Sequence, residues 1–157
     1  MKSRKAISPV IATVILVAVA ITIAVAVSYW MSGISSQYTR FEKVEIGTAT
    51  STLDANGNWI VTLALKNTGT TTATISNVYI NNEEVSDYDA VAPVAAVATL
   101  TSDLTTAITS GQLTSGDTGT FHVYVGATYG TLSSGTTVNI KVHSAGGMDY
   151  IKLVELV

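Results

Sequence analysis

His122 and His143 are the only histidines in this 157-residue chain, and imidazole is the side chain best suited to proton transfer near neutral pH or to zinc. Both fall at polar positions of alternating runs, "TFHVYV" and "TVNIKVH", which makes them solvent-facing strand residues able to become neighbours across a sheet. No acidic side chain lies close in sequence to orient either ring, and two histidines make an incomplete zinc site. Asp87 and Asp89 in "SDYD", with Glu83 and Glu84 nearby, are of the type that ligates calcium, but they also suit an acidic solvated loop. "DANGN" opens like a calcium loop, yet its Gly57 stands fourth rather than sixth, and Leu65 occupies the twelfth position where the bidentate Glu belongs. It reads as a hairpin turn. "GATYGTLSSG" has glycines but no phosphate-loop lysine, and no serine has the context of a nucleophile elbow. The expectation is a protein that is not an enzyme, with no catalytic residue, cofactor site or metal site.

Composition narrows the classes further. Only 12% of residues are charged and the formal net charge is −3, which leaves no electrostatic footprint for nucleic acid. Cysteine is absent, so the fold has to hold by packing alone. No Asn-x-Ser/Thr sequon occurs, and the Thr/Ser-rich surface leaves O-linked glycan as the modification to consider.

What positions these residues is a chain of two unlike parts. From Ile7 to Met31 there is no charged side chain. A helix over that stretch extends roughly 37 Å, more than the ~30 Å hydrocarbon core of a bilayer. Ser8-Pro9 predicts the helix start, with the Ser hydroxyl capping an early N–H and Pro occupying the first turn. Val, Ile, Leu and Ala cover every side of the predicted cylinder, so no face is reserved for water. Small residues recur as Ala18-Thr22-Ala26 and Ala20-Ala24-Ser28, rows that allow close helix approach. Tyr29 and Trp30 fall where the apolar run gives way to Ser32-Gly33, as rings at a membrane interface do. Lys2, Arg4 and Lys5 precede the run and predict an N-in, C-out topology. The run is too long for an ordinary secretory signal, although Ala24-Val25-Ala26 offers a cleavage-like site.

Beyond about Phe41 the period changes to two. Val61, Leu63 and Leu65 share one face of "NWIVTLALKN"; Phe121, Val123 and Val125 share one face of the next run, and Val138, Ile140 and Val142 one face of the third. "YIKLVELV" sets Ile151 and Leu153 against Lys152 and Val154. Turn-forming clusters separate the runs, as in an antiparallel sandwich. Between them, Ser102 to Thr109 has room for one or two helical turns. The predicted class is α+β: a long hydrophobic N-terminal helix followed by an Ig-like antiparallel β-sandwich head. The predicted divisions are a leader at 1–6, helix and neck at 7–40, and head at 41–157.

The basic leader, the small residue and "ISPVIATVILVAVAITIAV" together resemble the N-terminus of archaeal type IV pilins, members of the archaeal pilin/flagellin superfamily with a class III signal peptide. "LALKNTGTTTATISNVYI" is similar in style to their β-domains. The resemblance implies cleavage by a prepilin peptidase between Ala6 and Ile7, with Lys5 and Ala6 as the recognised leader end. The helix is then retained in the mature subunit. It departs from archaeal flagellins, which usually start in a "GIGTL"-like way. It departs also from bacterial pilins, whose fifth mature residue is generally Glu where this chain has Ile11.

The expected function is therefore a pilin: membrane-inserted before assembly, then polymerised by the assembly machinery into an extracellular adhesive filament of identical subunits. Val10, Val14, Val17, Ile21 and Ala24 would line the filament core. The alternatives are a single-pass anchored surface adhesin or binding module, or an archaeal flagellin subunit.

Overall fold

The computed structural model describes residues 8–157. The expected processing residues Lys5, Ala6 and Ile7, and the leader with them, lie outside the described residues. The chain divides into two compact units between Arg40 and Phe41.

The first unit is a single helix, α1 (Pro9–Tyr38), about 45 Å long at 1.5 Å per residue. The expected hydroxyl cap from Ser8 is not formed. The Ser8 carbonyl instead accepts from Ile11 N–H at 3.0 Å and Ala12 N–H at 3.2 Å, so a donor that a capping hydroxyl normally takes is already engaged. Gly33 does not end the helix, which continues for five more residues. None of its side chains is buried.

The second unit carries nine strands: β1 (Val44–Leu53), β2 (Trp59–Asn67), β3 (Ala73–Ile80), β4 (Glu83–Glu84), β5 (Leu100–Ser102), β6 (Gln112–Leu113), β7 (Thr118–Val125), β8 (Thr137–Ser144) and β9 (Asp149–Glu155). One sheet has the order β1-β2-β7-β5 and the other β4-β3-β8-β9, with β6 added to β3. Every pairing is antiparallel. The chain is thus α+β, its head an Ig-like sandwich. Between β5 and β6 lie the short helix α2 (Leu104–Ala107) and a 3₁₀ turn, the one or two helical turns that sequence allowed.

The core follows the period-two pattern. Val61, Leu63 and Leu65 of β2 join Phe121, Val123 and Val125 of β7 and Val138, Ile140 and Val142 of β8, all essentially without solvent contact. On β9 it is Val154 that turns inward, while Ile151 and Leu153 are 59% and 64% exposed. Both faces of this edge strand carry aliphatics, so alternation alone does not say which one is core.

Two buried asparagines fix the ends of β2. Asn67 donates from Nδ2 to the carbonyls of Thr71 (2.7 Å) and Leu113 (2.8 Å) and accepts from Gly69 N–H at 2.9 Å. The backbone is tight here: a Cβ on Gly69 would meet Lys43 N and Phe41 O at 2.6 Å. At the other end, Asn58 Oδ1 accepts from Val97 N–H and Ala127 N–H at 3.1 and 3.0 Å, and Nδ2 donates to Ala95 O at 2.9 Å. Both residues are fully buried, and an unpaired polar group in such a place costs about 1–3 kcal/mol. Asn67→Ala is expected to destabilise the head by about 2–4 kcal/mol, because it removes the amide that the Thr71 and Leu113 carbonyls accept from and leaves Gly69 N–H with Lys43 O alone. Denaturant unfolding of the detergent-solubilised chain checks this, and a loss below about 0.5 kcal/mol contradicts it.

Candidate functional site

The feature that demands a partner is the surface of α1. The spacing of Val10, Val14, Val17, Ile21 and Ala24 places them along one seam of the helix, and the four larger side chains are each more than half exposed. The opposite faces are no more polar: Ile11, Ile15, Val19 and Ile23 are also solvent-exposed. The two threonines within the apolar stretch do not break it. Thr13 and Thr22 hydroxyls donate back to Val10 O and Ala18 O, each at 2.8 Å, so neither needs water. Tyr29 and Trp30 are exposed at the end of this stretch. The helix is long and apolar enough to cross a membrane.

In the head, the two histidines do not become neighbours. His122 lies on β7 of one sheet and His143 on β8 of the other. Each has instead acquired an aspartate. His122 Nδ1 lies 2.8 Å from Asp103 Oδ2, and His122 N–H donates to Asp103 Oδ1 at 2.6 Å. Asp103 is nineteen residues away in sequence, brought in by β5, which pairs with β7. His143 Nδ1 lies 2.5 Å from Asp149 Oδ1 across the β8–β9 hairpin, where the two residues are register partners. The signal for that second pair was the short "SAGGM" turn, which fixes the register of its flanking strands.

Neither pair completes a nucleophilic relay. Ser102 Oγ, the hydroxyl adjacent to Asp103, donates to His122 O at 2.8 Å and accepts from Leu104 N–H. The carboxylates of "SDYD" are likewise engaged: Asp89 accepts from the hydroxyls of Thr105 and Thr106, and Asp87 Oδ1 from Asp89 N–H at 3.0 Å. Among the described residues no group of three His, Cys, Asp or Glu side chains converges to hold a metal. "DANGN" is the β1–β2 hairpin turn, with Asp54 Oδ1 accepting from Asn56 and Asn58 N–H at 2.8 Å each.

The head also carries a cleft of about 180 Å³ whose walls include Glu83, Glu84, Ala98, Leu100 and Tyr129. Glu84 accepts from Asn77 Nδ2 at 2.5 Å and from Tyr88 hydroxyl at 3.1 Å. Burial pushes the Tyr129 phenol up to about 12, and a hydrogen bond to the Glu83 carboxylate adds to the rise. This phenol stays protonated and donates.

The hydrogen bond from His143 holds the Asp149 carboxyl below the usual aspartate range, with Lys141 contributing. A depressed folded pKa means that this contribution to stability is present above the ordinary aspartate pKa and is lost as pH falls through the lowered value. His143→Ala is expected to move the Asp149 titration midpoint upward, read by carboxyl ¹³C NMR. An unchanged midpoint contradicts the assignment.

Comparison with known families and with curated proteins finds no sequence match. Among solved structures, the chain is similar to the archaellum periplasmic stator protein FlaG from Sulfolobus acidocaldarius, at 22% identity over 72% of this chain and 99% of that one, with a TM-score of 0.49. It is also similar to the archaellum periplasmic stator complex of FlaF and FlaG from the same organism, at 22% identity over 72% of this chain and 89% of that one, with a TM-score of 0.46.

Proposed function

We propose that the chain is a structural protein of the archaeal cell surface, held in the membrane by α1 and presenting its sandwich outside as part of a protein assembly. The observation that carries this reading is the 30-residue helix with no buried side chain. About fifteen sizeable apolar side chains, at ~1.5–3 kcal/mol each on burial, amount to some tens of kcal/mol that water does not supply. Lipid supplies it. The exposed Tyr29-Trp30 pair supports residence in the bilayer, since aromatic rings collect at the lipid–water boundary. Lys2, Arg4 and Lys5 set the orientation, with the head outside.

A second reading, the pilus subunit, is favoured by the small-residue rows at Ala18-Thr22-Ala26 and Ala20-Ala24-Ser28. In that case the membrane holds the helix only until a bundle of identical helices replaces lipid around the seam from Val10 to Ala24, leaving the heads as the outer wall. The heterologous contact then repeats without closing.

Shearing cells and separating membranes from released filaments distinguishes the two. The anchored reading expects the chain in the membrane fraction, with Trp30 fluorescence quenched by lipids brominated near the headgroup. Filaments composed of this chain in the sheared material transfer the assignment to the pilin. In either case Val17→Asp, at a cost of roughly 2.5–3.5 kcal/mol for a central charge, is expected to reduce stable incorporation. Full recovery of that variant in membranes or filaments removes α1 from the mechanism. N-terminal sequencing of the mature chain, with a start at Ile7 expected, tests processing between Ala6 and Ile7.

A further inference from the structure

The loop between β4 and β5 contains nine consecutive apolar residues, Ala90 to Ala98, a composition that belongs in a core. It is not there. Val91 is 83% and Val94 92% exposed. The loop lies at the end of the sandwich opposite Phe41, beside the β1–β2 turn, because β5 starts opposite Val125 and Val125 pairs with Trp59.

Its backbone is pinned on both sides of Val91 and Val94, at Ala90, whose N–H donates to Ser102 O at 2.9 Å, and from Ala95 onward. The three Asn58 bonds to residues 95, 97 and 127 are joined by Thr128 N–H donating to Val97 O at 3.2 Å. Gly126 lets the strands close up, since a Cβ there would stand 2.2 Å from Val97 O. Pinning both ends of an apolar loop lowers the ordering entropy that binding costs.

The cleft side of the loop is acidic: Glu83 and Glu84 line the cleft and Asp87 and Asp89 follow in the same connection, while Lys141, the cation across β3 from Glu84, stands over the Tyr79 ring. The cleft containing Glu83, Glu84 and Tyr129 is continuous with the loop, because Ala98 belongs to both.

We infer that this tip is a docking surface for a polypeptide of another protein. An arginine or lysine of that segment enters the cleft beside Glu83, and its aliphatic neighbours lie on Val91 and Val94. Charge complementarity selects the occupant. An anionic membrane is repelled by the carboxylates. A glycan would find valine and alanine where sugar sites place flat aromatic faces and forks of amide donors. The surface belongs to the head alone, so the inference stands whether α1 stays in lipid or enters a filament.

The test uses the full chain in detergent micelles and a fluorescent decapeptide of alternating arginine and valine. Two controls replace arginine by glutamate or valine by serine. Binding is followed by anisotropy and located by amide shifts. The arginine–valine peptide is expected to bind with shifts at 83–84, 91–98 and 129, and to weaken as salt is raised. Glu83→Gln and Val94→Ser are each expected to weaken it by roughly tenfold. Glu83 lies in a two-residue strand and Val94 is almost wholly exposed, so unchanged thermal melting verifies that both variants remain folded. The inference is overturned if the arginine–valine peptide fails to bind, if the glutamate–valine peptide binds equally, or if neither variant matters. Shifts centred on Ile151 and Leu153 overturn it too, as does saturable occupation of the cleft by a neutral oligosaccharide or by a second copy of the chain.

Discussion

A helix that is apolar on every side has to be surrounded on every side, by a large core, by lipid or by other helices. An amphipathic helix settles its burial within its own domain by turning one stripe inward; α1 has no such stripe, and no side chain on it is buried. The covering material has to come from outside, as lipid or as other helices. The need for an outside cover follows from α1 alone, and it separates the chain into a part that must be sheltered and a part that must fold unaided.

The head meets the second requirement without cysteine. Its two sheets bury an aliphatic core around Phe121, and the places where connecting loops cross the sandwich ends are stitched by amides rather than by disulfides. Asn58 and Asn67 bracket β2, the strand between β1 and β7, and each serves loops distant in sequence: Leu113 lies 46 residues from Asn67, and Ala127 lies 69 from Asn58. A buried side-chain amide can serve several backbone groups at once where no strand is available to pair with them. That is how a small sandwich with long connections keeps its ends closed.

The legible parts of the sequence were those in which one periodicity is unopposed. β2, β7 and β8 alternate hydrophobic with polar residues, so their inward faces could be read directly. β9 places aliphatics on both sides, and only its pairing with β8 decides that Val154 is core. The helix was legible from length and lack of charge, but its Ser8 cap was not, because a backbone turn competes for the same donor. The histidine partners depended on register: Asp149 is reached across one hairpin, whereas Asp103 is reached through a strand whose place in the sheet no local pattern reveals. The loop at 90–98 was the hardest. Apart from Pro93 its composition is that of a buried strand, and the side chain that pins its second half, Asn58, is in sequence only the end of a turn.

The distribution of charge follows the same division of tasks. Three cations stand ahead of α1, Arg40, Lys43 and Lys66 lie near the junction and along the first two strands, and Lys141 and Lys152 lie on the last two. None falls in the 74-residue stretch from Asn67 to Ile140, which includes the loop at 90–98 and the cleft beside it. Solubility alone does not require this, since mixed charges keep a surface dispersed as well as carboxylates do. Carboxylates beside an apolar loop do something evenly mixed charge does not: like-signed surfaces are repelled before their apolar centres meet, and oppositely charged ones are drawn in. On the docking reading, Glu83 and Glu84 beside the loop bias its contacts toward basic partners. An exposed Val91 and Val94 would otherwise be a liability for any surface protein crowded beside identical neighbours.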